Sequence, residues 1–115
     1  STSAQTVITA SITPKFANSV IHIEGFISRI EMVYGSSNAY ASHYLFNPSG
    51  GTITLGVSGN SGASNSSPSA LFGTHSPNST SSQTYTMSIS VASGGTTSTS
   101  TDGQRYTIKL IEVAQ

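Results

Sequence analysis

Hydrophobic alternation with a period of two residues is the feature that most constrains this chain. In segment 84–91, Tyr85, Met87, Ile89 and Val91 alternate with Thr86, Ser88 and Ser90. That is the pattern of a strand with one buried face. The same period returns in Ile8, Ala10 and Ile12, and again in Ile53, Leu55 and Val57. In segment 39–46, Tyr40, Ser42, Tyr44 and Phe46 share one side, with Ala41, His43 and Leu45 on the other. β-Branched and aromatic residues of this kind suit a pleated surface. In segment 20–34, Ile21, Ile23 and Ile27 have one parity, whereas Ile30, Met32 and Tyr34 have the opposite one. A switch of parity predicts a bulge or bend near Ser28 and Arg29. Helical spacing also fits part of 23–34, but the β-branched content argues against it.

Punctuation divides these runs. Pro14 ends the first strand, because proline cannot donate to a ladder. Turns are expected at 17–19, at 35–38, at Asn47-Pro48-Ser49-Gly50-Gly51, at Ser93-Gly94-Gly95 and at Asp102-Gly103. Segment 58–69 is nearly all Gly, Ser, Asn and Ala and reads as a long surface loop. A short strand is expected at 70–74, a loop at 75–82, and an exposed edge strand or loop at 96–101. In the last strand, Tyr106, Ile108 and Leu110 face one way, and Ile111 and Val113 the other. Such a strand needs two covers, its own core and a neighbouring subunit. The count is about seven or eight strands at the spacing of sandwiches and barrels. The expected fold is all-β: one domain over residues 1–115, a jelly-roll-like antiparallel β-sandwich that limits exposed edges.

Composition narrows the function. Charged residues make up only 7% of the chain, four basic and four acidic, against about 25% in ordinary domains. Serine and threonine, about a third of the chain, take their place. No basic patch is available for phosphate backbones or anionic lipid, so neither nucleic acid nor membrane insertion is expected. No apolar run approaches the length of a membrane span. The absence of cysteine excludes disulfides, thiol catalysis and cysteine zinc sites. Ser1-Thr2-Ser3-Ala4 shows no signal-peptide pattern, and reads as a mature start or as part of a longer chain.

Catalytic constellations are not apparent. A glycosidase needs two carboxylates about 5–10 Å apart. Glu24 and Glu31 are separated by roughly 23 Å on a regular strand. His22, His43 and His75 form no His-x-His pair, the spacing that places two ligands on one strand face. No Gly-x-Ser-x-Gly elbow occurs, and the glycine-rich run 58–62 lacks the lysine of a phosphate loop. No cofactor or metal is expected. The sequons at Asn65 and Asn78 are unremarkable in a chain this rich in Asn, Ser and Thr.

Two stretches carry a resemblance. They are Ser11-Ile12-Thr13-Pro14-Lys15-Phe16-Ala17-Asn18-Ser19-Val20-Ile21-His22-Ile23 and Tyr106-Thr107-Ile108-Lys109-Leu110-Ile111-Glu112-Val113-Ala114-Gln115. Together they resemble the small β-sandwich domains that end bacteriophage tail fibres and related virion appendages. Those domains open on a "SITP…NSKILV"-like strand pair and close on a "LxxMEIA"-like strand. Here Val20 replaces the family's lysine and Ile111 its methionine. The chain also lacks the repeated His-x-His of iron-bearing fibre tips. The resemblance implies a homotrimer on the virion that binds a host-surface glycan or other virion proteins.

The expected function is therefore host attachment by a trimeric tail-fibre-type domain. A capsid decoration protein is the second reading, favoured if these residues are a whole gene product without a fibre shaft. A carbohydrate-binding module is the third, weakened by the lack of tryptophan. Tyr34, Tyr40, Asn60, Asn65 and Phe72 are the candidate receptor contacts. Ile8, Ile12, Ile111 and Val113 are the candidate subunit contacts.

Overall fold

The computed structural model describes residues 3–34, 39–60, 65–91, 95–98 and 106–115. Side chains at 31–34, 39, 58–60, 65–67 and 95–98 fall outside that description. The described residues form eight strands and no helix: β1 (Gln5–Ile12), β2 (Val20–Tyr34), β3 (Ala39–Phe46), β4 (Thr52–Asn60), β5 (Asn65–His75), β6 (Gln83–Val91), β7 (Gly95–Ser98) and β8 (Tyr106–Val113). All pairings are antiparallel. A front sheet has the order β1-β6-β3-β4. In the back sheet, β2 lies between β5 on one side and, end to end on the other, β7 and β8.

The sheets meet face to face, as in a β-sandwich. Ile21, Ile23, Ile27 and Ile30 of β2 and Leu71 of β5 bury against Ala41 and Leu45 of β3 and Tyr85, Met87 and Ile89 of β6. The parity switch in β2 has the expected cause. Its register against β5 slips between Ile27 and Ile30, so residues of opposite parity both point inward and are fully buried. Pro68 is the single β5 residue opposite Ser28 and Arg29. Proline lacks the ladder donor, and a bulge is where its absence costs least.

The turn at 47–51 forms as its residues require. The Asn47 side-chain oxygen accepts from the backbone N–H of Ser49 at 2.8 Å and of Gly51 at 3.1 Å. Gly50 takes φ 87, a conformation that favours glycine. Two expectations change. Segment 58–69 is not one long loop, because β4 extends to Asn60 and β5 begins at Asn65. Residues 61–64 lie outside the described residues. Ladder pairing overrides composition here: β3 holds the end of β4, and β2 holds the start of β5. The strand expected at 70–74 is accordingly longer, the eleven residues of β5. Segment 96–101 contributes β7 at the back-sheet edge. The turn signals at 35–38, Ser93-Gly94 and Asp102-Gly103 lie outside the described residues.

Gly25 shows how closely the core is filled. A Cβ at this position would stand 2.5 Å from Met87 Sδ, and Met87 is fully buried. Gly25→Ala should therefore cost about 1–3 kcal/mol by overpacking. Urea unfolding would read this as a lower midpoint with an unchanged slope.

Candidate functional site

Pairing register decides which side chains share a surface. On the back sheet, His22 lies between Thr74 of β5 and Ile111 of β8. One row along, Glu24 lies between Phe72 and Lys109, and the next row is Ala70, Phe26 and Thr107. All nine side chains are exposed. His22, Glu24, Phe72 and Thr74 line a shallow depression of about 300 Å³.

The front sheet has a different character. Its strands contain no Lys, Arg, Asp or Glu, and the strand-borne charges all sit on β2 and β8 of the back sheet. Tyr44 pairs with Leu55, and Ser42 with Val57, across β3 and β4. Leu55 is 53% and Val57 61% exposed. They point outward because the alternate residue Gly56 turns inward, where a Cβ would meet Leu71 and His43. Tyr44 and Phe46 stack at 5.2 Å beside them, and the Tyr44 hydroxyl hydrogen-bonds Ser90 Oγ at 3.2 Å. With exposed Tyr40, these residues make an uncharged apolar stripe.

The proposed receptor residues do not form one cluster. Tyr40 belongs to the front sheet and Phe72 to the back. Tyr34, Asn60 and Asn65 lie near Tyr40 at one end of the sandwich by backbone register, opposite Gly95, Ala39 and Met32 respectively. Their side chains are outside the description. The proposed subunit contacts divide as well. Ile8 and Ile12 pack against the protein's own core and are half-buried. Ile111 and Val113 face outward at 39% and 36% exposure, among His22, Glu24 and Lys109.

Strand β5 is fastened to the front sheet along its length. His43 Nδ1 and Ser69 Oγ share a hydrogen bond of 2.8 Å, buried between the sheets. Thr54 Oγ1 donates to the Phe72 carbonyl at 2.6 Å. His75 Nδ1 and the Tyr85 hydroxyl are 2.9 Å apart, with the rings edge to face. Phe72 therefore stands on a rigid element. A second fastening joins segments 15–19 and 106–113. Glu112 Oε1 accepts from the backbone N–H of Lys15 at 2.8 Å and of Phe16 at 3.1 Å, and from Ser19 Oγ at 2.7 Å. Sequence reasoning missed this clamp, the outward Leu55–Val57 stripe and the Glu24–Lys109 pair. The clamp joins residues 93 apart in sequence, and no local pattern signals it.

These contacts set a pH dependence. Burial lowers the pKa of His43 and of His75 from the ordinary 6.5. The unfolded chain then binds protons first as pH falls, so stability is full above 6.5 and declines below it. The Ser19 hydroxyl, then the Lys15 backbone N–H, hold Glu112 below its ordinary 4.5. Its contribution is present above 4.5 and is lost as pH falls through the lower folded value. Urea midpoints should therefore drop in two stages between neutral and strongly acid pH. His43→Gln should reduce the upper stage, leaving the share of His75, and should not alter the lower one.

Among the described residues, no group of three His, Cys, Asp or Glu could hold a metal. Comparison with protein-family models, curated proteins and solved structures gives no match to this chain.

Proposed function

We propose that this chain is a phage virion domain that assembles as a homotrimer and serves host attachment, in the manner of a tail-fibre tip. The jelly-roll-type winding expected from the sequence is part of this proposal. The observation that carries it is the segregation of charge: the front-sheet strands have none, and the back sheet has all that the strands bear. Interface cores are depleted of charge and enriched in tyrosine. The Tyr40, Leu55 and Val57 stripe matches that composition better than Ile111 and Val113, which are less exposed and lie among charged groups. The front sheet is accordingly assigned to subunit packing. Three copies then present three back sheets, and weak single contacts become tight attachment through avidity.

Competition for host adsorption tests this reading. Purified domain should reduce the adsorption of the parent phage, and gold-labelled antibody should decorate the fibre tips. Label confined to the capsid shell, without competition, would replace the reading with that of a decoration protein. No label on the particle would overturn both.

A further inference from the structure

We propose that the outer face of the back sheet is a binding site for a neutral saccharide, centred on Phe72, Glu24 and Lys109. The proposal rests on the attachment reading and deepens it by placing the contact and naming the ligand class. Phe72 is 63% exposed and forms a wall of the depression it shares with His22, Glu24 and Thr74. Its hydrogen bond from Thr54 of the front sheet is accepted by the backbone carbonyl and leaves the ring clear.

Chemistry selects the ligand. A pyranose ring has one face of C–H groups and a rim of hydroxyls, each both donor and acceptor. The Phe72 ring offers an apolar plane for that face. Beside it in register stands a carboxylate, which only accepts, and beyond that an ammonium, which only donates. Neighbouring strands are about 4.8 Å apart, so Phe72 and Lys109 lie about 10 Å apart across the sheet. That span suits one or two sugar rings, with adjacent hydroxyls donating to Glu24 and accepting from Lys109. Neither charged side chain forms a hydrogen bond or ion pair with any other described residue. Thr74 and His22 add polar groups at the rim. One carboxylate and one ammonium side by side leave the site without net charge, which favours neutral hexoses and N-acetylhexosamines over phosphorylated or carboxylated sugars. A few convergent polar groups around an apolar plane are the usual makeup of a small-ligand site.

The test is an immobilised array of neutral and acidic oligosaccharides, probed with the intact assembly. The expected result is retention on neutral sugars, reduced about ten- to a hundredfold in Phe72→Ala and about tenfold in Glu24→Gln. Thermal melting should be unchanged in both variants. Retention on acidic sugars alone, retention indifferent to Phe72 and Glu24, or no retention would overturn the site. Host adsorption is measured alongside. Competition that persists without sugar retention discards this site and leaves the attachment reading standing. Sugar retention through Phe72 without competition discards the attachment reading and keeps the site.

Discussion

Tyr85→Ala should lose about 3–5 kcal/mol of stability, the range for deleting a buried aromatic ring. Domains of this size are stable by about 5–15 kcal/mol in all, so the variant approaches the unfolding threshold at ambient temperature. Among the described residues Tyr85 is the largest fully buried side chain, and it belongs to the inter-sheet core. Its loss would leave a void between the sheets, because β6 is an inner strand of the front sheet and the β2 isoleucines line the same core from the back. Tyr85→Phe separates the ring from the hydroxyl. That variant keeps the packing and loses only the bond to His75, which should cost about 0.5–1.5 kcal/mol. Urea unfolding of the two variants ranks the terms. Equal losses would mean that the hydrogen bond, rather than ring burial, holds β5 to the front sheet.

The second large effect concerns assembly. Leu55→Lys combined with Val57→Lys should convert a trimer into a folded monomer. Both side chains are more than half exposed, so the substitutions remove little intramolecular packing. Surface changes of this kind usually alter stability by less than about 0.5 kcal/mol. Each would nevertheless bury an unpaired ammonium if the front sheets packed together, and that is strongly unfavourable. Loss of the assembly removes avidity, so attachment should weaken by about a hundredfold or more while each single site is intact. Ile111→Lys, on the back sheet, should leave the trimer whole. A variant in which Ile111→Lys dissociates the assembly and the front-sheet pair does not would exchange the roles of the two faces.

The strand content was readable because alternation reports burial directly. Tyr85, Met87 and Ile89 turn inward together, as do Ala41 and Leu45. The opposite parities of Ile27 and Ile30 mark the β2 bulge, where the register against β5 slips. Asn47 to Gly51 foretold their turn because each residue has a specific task there. Segment 58–69 misled because ladders are made by backbone groups, and Ser and Asn residues join them when a long partner is available. Leu55 and Val57 show the limit of alternation: it finds two faces and does not say which is inside. Gly56 decides this by fitting beneath Leu71 and His43, a contact between residues distant in sequence. For the same reason Tyr40 and Phe72 could not be separated onto opposite sheets, nor Glu24 and Lys109 recognised as neighbours, from sequence spacing alone. The Glu112 clamp spans almost the whole chain and required the β2–β8 pairing to become visible.

The central claim is that an uncharged front sheet packs three copies together so that three back sheets face the host. Light scattering on a sizing column tests it most directly. A mass near three times the 11.8 kDa chain is predicted. A single peak at 11.8 kDa, holding across the accessible concentration range, would contradict the account.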